Sequence, residues 1–216
     1  MRCLVTGGAG FIGSHTVEEL VRRGHGVSAL DDLSTGKAEN LAGVESKIQF
    51  VRESITNLDR VREACRGVDC VIHLAAQTSV PRSVEDPLEP HLINVTGTMN
   101  VLVAARDARV KRVVFASSCA IYGKTPVLPI GENVPPAPIS PYGASKLAGE
   151  FYGRVFQEIY GLEFVALRYF NVFGPRQDHG SPYSGVLSLF NAAMMEGTQP
   201  TVYGDGEQSR DFVYIG

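Results

Sequence analysis

TGGAGFIGS, residues 6–14, follows the apolar run RCLVT and opens the helical pattern FIGSHTVEELVRRG. Gly7, Gly10 and Gly13 therefore stand at a strand-to-helix junction. Glycines spaced this way say little by themselves. At such a junction, however, they can supply a tight turn, let a pyrophosphate approach the helix N-terminus, and pack the helix closely on the sheet. The stretch reads as the first turn of a dinucleotide-binding unit.

Working outward, short β-branched runs alternate with helical patterns. GVSAL (26–30), KIQFV (47–51), DCVIHLA (69–75), RVVFASS (112–118) and EFVALRYF (163–170) read as strands. NLDRVREACRG (57–67), PLEPHLINVTGTMNVLVAARDARV (87–110) and SPYGASKLAGEFYGRVFQEIYG (140–161) read as helices. This βαβα order predicts an α/β fold, a doubly wound parallel sheet covered by helices on both faces. Gly24 and Gly161 lie just past helix ends, and Pro87 and Pro141 near helix starts, as helix chemistry favours. After Phe173 the pattern changes. GPRQDHGSPYSG reads as a loop, GVLSLFNAAMMEG as a helix, and PTVYGDGEQSRDFVYIG as a strand, a turn and the start of another strand. The expected organisation is a dinucleotide-binding domain over 1–172 and an incomplete, smaller C-terminal substrate-binding unit over 173–216.

The composition narrows the function. Of 216 residues, 44% are hydrophobic and 20% charged, the balance of a globular protein. A net charge of −3 offers no basic field to nucleic acid. No apolar run reaches membrane-spanning length and no basic leader precedes the first strand, so a cytoplasmic protein without membrane contact is expected. Cys3, Cys65, Cys70 and Cys119 form no CxxC pair and fall within predicted elements, which suits reduced thiols and no metal site.

The second strand ends in LDD, about twenty residues beyond the glycines, where the Asp31 carboxylate can accept both ribose hydroxyls of an adenosine. A carboxylate there repels a 2′-phosphate, which favours NAD over NADP. SPYGASK (140–146) places Tyr142 and Lys146 four positions apart on one helix face. With FASSCAIYG after the fifth strand, both converge on the carboxyl ends of the strands, where ligands bind in such folds. Ser118 would sit beside Tyr142, and Lys146 would reach the cofactor ribose and the phenol. An adjacent ammonium favours the phenolate, bringing it towards working pH as a base. His73 ends a strand inside an apolar run and reads as a structural histidine, because Tyr142 already fills the acid/base role.

These motifs resemble the extended short-chain dehydrogenase/reductases, within the NAD-dependent epimerase/dehydratase group, of the nucleotide-sugar 4-epimerase type. The stretches that carry the resemblance are TGGAGFIGS, LDDLSTG, VIHLAAQTSVPRS, INVTGTMNVL, FASSCAIYG, PYGASK, LRYFNVFGP and GDGEQSRDFVYI, spread from end to end. The resemblance implies a Rossmann fold, tightly held NAD, and Ser118, Tyr142 and Lys146 as the catalytic set. It implies cofactor contacts from Gly7, Gly10, Phe11, Ile12 and Gly13. Further contacts are expected from Asp31, Asp32, Leu33, Ser34, Thr35 and Gly36, from Ser54 and Ile55, from Leu74, Ala75, Ala76 and Gln77, and from Asn94, Tyr142, Lys146 and Phe170. It also implies that a UDP-sugar meets Ser118 and Tyr142, with Asn171 and Arg210 on its diphosphate and Tyr203 nearby. Ser79 and Arg82, in QTSVPRS, resemble a sugar- or phosphate-contacting loop of N-acetylhexosamine epimerases.

Two departures stand out. Ser54 occupies a position where relatives usually carry an adenine-contacting aspartate. The sequence given stops at Tyr214-Ile215-Gly216, where relatives continue through the substrate-binding unit. The expected activity is interconversion of UDP-hexoses through a 4-keto sugar, with a homodimer as the other expected partnership. Two alternatives stand beside it. One is an NAD-binding family member with little turnover. The other is a sugar-nucleotide dehydratase or reductase, ranked below because Cys119 and Ala120 follow Ser118 where dehydratases place an acidic pair.

Overall fold

The computed structural model describes residues 1–178, 185–202 and 204–216. The chain divides into two compact units, Met1–Arg168 and Tyr169–Gly216. In the first, β1 (Arg2–Thr6), α1 (Phe11–Arg22), β2 (Gly26–Asp31), β3 (Ile48–Arg52), α2 (Leu58–Ala64) and β4 (Cys70–His73) follow one another. They are continued by α3 (Val80–Glu85), α4 (Leu88–Pro90), α5 (Gly97–Asp107), β5 (Arg112–Ser118), α6 (Pro141–Tyr160) and β6 (Glu163–Tyr169). The six strands lie in the order β3-β2-β1-β4-β5-β6. β1 pairs in parallel with β2 and β4, β2 with β3, and β4 with β5. The strand order reverses at β1, which places a crevice beyond the carboxyl ends of β1 and β4.

Alternation along the strands explains why both faces are buried. In β1, Leu4 belongs to an apolar cluster with Val61, Leu102, Val113 and Phe156, while Val5 joins Val17, Val27, Ala29 and Leu41. Successive side chains leave a strand on opposite faces, so one face takes α2, α5 and α6 and the other takes α1. Cys3 and Cys65 are buried in this interior, and Cys70 and Cys119 are half-buried.

The long helix expected over 87–110 is broken up. α4 is one short turn, and His91–Thr96 forms a π-helical turn before α5. The wider turn accompanies an inward Asn94, whose amide spans two other elements, and such insertions are a recognised way to re-aim a side chain. α3 was not expected; Ser79 caps it by accepting from the Arg82 N–H, and Pro81 sits at its start.

The second unit, taken by itself, contains β7 (Asn171–Phe173), α7 (Val186–Met195) and β8 (Phe212–Tyr214). β7 and β8 pair in parallel, and Phe173 meets Phe212 and Tyr214 edge-on. The strand expected from residue 200 does not form in Pro200–Val202. Tyr203 lies outside the described residues, as does part of the loop expected over 174–185.

Candidate active site

The glycine turn has no room for side chains. Gly7 adopts φ +69°, and a Cβ there would come within 2.7 Å of the Ala75 backbone nitrogen. A Cβ on Gly13 would lie 1.9 Å from the Gly7 carbonyl oxygen. The turn is therefore held tight under the N-terminus of α1, whose N-cap, Gly10, supplies no side-chain acceptor for the first N–H groups. Free amide hydrogens and the helix dipole together make a seat for a phosphate. Phe11 and Ile12 begin that helix.

Asp31 closes β2, only 7% exposed. Its Oδ2 accepts the Ala9 N–H at 2.9 Å and its Oδ1 the Leu33 N–H at 2.8 Å, so the carboxylate is clamped beside the glycine turn. Burial raises its pKa, and the hydrogen bonds from Leu33, Ala9 and Gly10 pull against that. Asp32 accepts the Ser34 N–H, and Leu33 takes φ +60°, which folds 31–36 back over itself. A Cβ on Gly36 would come within 2.8 Å of Asp31 Oδ1. Ser54 Oγ bonds Thr56 Oγ1 at 2.9 Å, and Ile55 is buried under Gly97.

Leu74 to Gln77 continue from β4. Asn94 Oδ1 accepts the Gln77 N–H at 2.8 Å, and its Nδ2 donates to the Gln77 carbonyl and to Ser145 Oγ, both at 2.9 Å. This is the point where the β4 loop, the π turn and α6 are locked together. Gln77 Oε1 is buried with no hydrogen-bond partner, an acceptor that a bound donor could satisfy. His73 lies between Thr6 Oγ1 (2.7 Å) and Thr98 Oγ1 (3.0 Å), fully enclosed, with its pKa lowered to about 3 by burial and by Lys146. It is neutral and structural.

The three residues expected to carry chemistry converge where β5 meets α6. Ser140 caps α6 by accepting the Gly143 N–H at 3.0 Å, and Pro141 starts it. Ser83 of α3 accepts the Tyr142 N–H, and the Tyr142 carbonyl accepts from Ser145 Oγ at 2.7 Å. Ser118 Oγ accepts the Ala120 N–H at 3.1 Å, which leaves its own hydrogen free to turn towards the Tyr142 phenol, close enough for Ser118 to favour the phenolate. Lys146 Nζ donates to the Ala116 carbonyl at 2.8 Å and lies 5.0 Å from the Phe115 ring centroid and 6.0 Å from that of Tyr142.

The electrostatics differ from the sequence expectation in one respect. Burial pushes the Tyr142 phenol up; the Ser118 hydrogen bond lowers it and the nearby Cys119 raises it. Burial likewise lowers Lys146 to about 7. With its pKa lowered to about 7, Lys146 is only partly protonated at neutral pH, so the positive charge that favours the phenolate is smaller there than the Tyr142–Lys146 spacing suggests.

Ser79 and Arg82 are engaged structurally, Ser79 as the α3 cap and Arg82 in an ion pair with Glu89 at 2.6 Å. In the second unit, Asn171 Nδ2 donates to the Asp211 carbonyl at 2.8 Å, Arg210 bonds the Ser209 carbonyl, and Phe170 precedes β7. Reading the sequence missed Ser83 and Ser145. Their only signal was a polar residue at helical spacing from a site residue, which many surface serines share.

The sequence profile of the NAD dependent epimerase/dehydratase family matches residues 3–216. The chain belongs to this family. It is 45% identical over 215 residues to a putative UDP-glucose 4-epimerase of Methanocaldococcus jannaschii, covering 99% of this chain and 69% of that protein. Among solved structures, a UDP-N-acetylglucosamine 4-epimerase from Methanobrevibacter ruminantium, in complex with UDP-N-acetylmuramic acid, matches with TM-score 0.95 and 44% identity, covering 99% of this chain and 69% of that one. The UDP-glucose 4-epimerase of Thermus thermophilus, in complex with NAD, matches with TM-score 0.92 and 45% identity over 100% of this chain and 71% of its own. The chain is also similar to a UDP-N-acetyl-alpha-D-glucosaminuronate decarboxylase of Bacillus cytotoxicus (39% identical) and to a dTDP-glucose 4,6-dehydratase of Streptomyces venezuelae (36%). Membership therefore establishes a nucleotide-sugar enzyme fold and NAD as the family's cofactor, and leaves the reaction open among these chemistries. The crowded glycine turn, the clamped Asp31 and the orphaned Gln77 acceptor fit that dinucleotide.

Proposed function

We propose that this family member is an NAD-dependent nucleotide-sugar 4-epimerase that interconverts UDP-hexoses. The observation that carries the reading is the convergence of Ser118, at the carboxyl end of β5, with the buried Tyr142 and, one turn along α6, Lys146. The backbone of Gly7 to Gly13 seats the pyrophosphate, and Asp31 takes the adenosine ribose. Bound NAD supplies the acceptor, and then the donor, of a hydride at sugar C4, so a 4-keto sugar lies between the two epimers. Tyr142 removes the proton of the sugar 4-hydroxyl and later returns it. Ser118 orients the phenol and favours its ionised form by donating to it. Lys146, whose ammonium has two N–H donors besides the one given to the Ala116 carbonyl, is assigned to the cofactor ribose and the phenol. Asn171 and Arg210 are assigned to the substrate diphosphate, for which a guanidinium fork is chemically suited.

Dehydration is disfavoured because Cys119 and Ala120, the residues after Ser118, cannot provide the extra acid and base that loss of the C6 hydroxyl requires. The reading is tested by incubating the protein and NAD with a panel of UDP-hexoses, their N-acetyl forms and uronic acids, and separating the products. C4-inverted products support it; unsaturated or decarboxylated products, or none from any sugar, overturn it.

The reading includes a homodimer. α6 exposes Phe151, Val155 and Ile159 at successive turns, and Leu88 and Leu92 are exposed on the neighbouring α4 and π turn. We infer that a second copy covers this apolar stripe, as an isologous two-fold interface would. Sedimentation of the parent and of a Phe151→Glu variant measures it; a monomeric parent refutes it.

A further inference from the structure

Tyr142, Lys146 and Glu150 stand at successive turns of α6, and each is joined to a different residue at the end of β5. Tyr142 lies beside Ser118, which favours its ionised form, Lys146 donates to the Ala116 carbonyl, and Glu150 Oε1 accepts from Ser117 Oγ at 2.5 Å. The proposed chemistry uses the first two links and leaves the third unexplained. Glu150 is also gripped from β6: Arg168 Nε reaches Oε1 at 3.0 Å and Nη2 reaches Oε2 at 2.8 Å, a two-pronged fork. The same guanidinium donates through Nη1 to Tyr122 Oη (2.8 Å) and to the Glu132 carbonyl (3.0 Å), and lies 5.0 Å from the Tyr122 ring centroid. Glu150 and Arg168 side chains are only 13% and 24% exposed.

We propose that Glu150 and Arg168 are positioning residues, which fix the height of α6 against the end of β5 and so set the contact between Tyr142 and Ser118. Apolar packing cannot do this alone. Gly149 and Gly153 bring the helix down onto Phe115 and Phe164, where a Cβ would come within 2.6 and 2.2 Å of the rings. Such smooth, close contacts resist separation more than sliding. A buried ion pair contributes little net stability compared with apolar residues of the same volume, but its hydrogen bonds are directional and define a register. A slip of a fraction of a helical turn, about 5.4 Å, would part the phenol from the Ser118 hydroxyl.

The inference rests on the reading of Tyr142 as the base for its functional meaning, though its test does not. The readout is the ionisation of the Tyr142 phenol, followed as tyrosinate absorbance and isolated from the other seven tyrosines by subtracting the matching Tyr142→Phe protein. The other titratable groups facing the phenol are unchanged in every variant: Lys146 on its own helix, Cys119 after β5 and, behind Lys146, the neutral His73. Ser117→Ala removes one link without adding a charge and is expected to raise the Tyr142 pKa by up to about one unit, the shift reached if the resulting slip of α6 takes the phenol out of reach of Ser118. Ser117→Thr, which keeps the hydroxyl, is expected to leave it in place. Glu150→Gln and Arg168→Lys, which weaken the fork, are expected to shift it in the same direction as Ser117→Ala. If Ser117→Ala lowers the melting temperature but leaves the phenol titration where it was, the network is merely structural and the proposal falls. The Ser117 pair decides the matter even if Glu150→Gln fails to fold. A shifted titration in a protein that converts no UDP-hexose would overturn the proposed function and leave the positioning role standing.

Discussion

Lys146 Nζ donates to the carbonyl oxygen of Ala116 at 2.8 Å, deep enough that burial lowers its pKa from 10.5 to about 7. Folding thus releases a proton over a wide pH range. Between about pH 7 and 10.5 the unfolded chain holds more protons at this site than the folded one, so stability rises with pH there. Cysteine works in the opposite sense: Cys65 is pushed up to about 12 from 9.0, so unfolded thiols ionise first and stability declines above about pH 9. Without added NAD, the melting temperature is expected to climb from pH 7 to about pH 8.5, and Lys146→Met should flatten that climb. A parent and variant with the same slope would contradict the buried ammonium.

Asp31 is held by Ala9 and Leu33 N–H groups, so it cannot swing away from a 2′-phosphate. Calorimetric titration is expected to show NAD binding more tightly than NADP by roughly 10–100-fold, the scale of a close like-charge contact partly screened by water. Asp31→Ser should narrow the gap mainly by improving NADP binding. Equal affinities in the parent would remove Asp31 from the cofactor site.

Tyr142→Phe keeps the buried ring and deletes the ionisable oxygen. Turnover of UDP-hexose is expected to fall by about 10²–10⁴-fold while NAD affinity changes little. Because burial holds the parent phenol above its ordinary range, turnover in the parent should increase with pH through neutrality. Lys146→Ala is expected to weaken both turnover and NAD binding. Normal turnover in Tyr142→Phe would exclude the assigned base.

A Cβ on Gly153 would meet three ring atoms of Phe164 within 2.4 Å. Gly153→Ala therefore overpacks the seam between α6 and β6, at a cost of about 1–3 kcal/mol. At this chain length the expected fall in melting temperature is roughly 2–12 °C. Gly26→Ala, where the nearest atom is Arg2 Cγ at 3.6 Å, serves as a control that should scarcely move it. A tolerant Gly153 would mean that α6 can lift from the sheet.

The order of elements and the location of the glycine turn were legible in the residues themselves. Strand period, β-branched runs and helix caps are local signals, and a glycine that no Cβ could replace leaves its mark in the chain. The positions of Asp31, Ser118, Tyr142 and Lys146, each at the end of a strand or in the first turns of a helix, were likewise legible from the pattern. The unbroken helix over 87–110 was misread, since an inward Asn94 acts against a periodicity that looks regular on paper, and the strand expected from residue 200 does not form in Pro200–Val202. What tertiary structure alone decided was the partner and burial of each group. Glu150 and Ser117 are 33 positions apart, Arg168 and Glu150 are 18, and Lys146 and Ala116 are 30, so nothing local joins them. The desolvation that raises Tyr142 and lowers Lys146 depends on how closely α6 lies on the sheet, and that closeness follows from Phe115 and Phe164 meeting Gly149 and Gly153 across the fold.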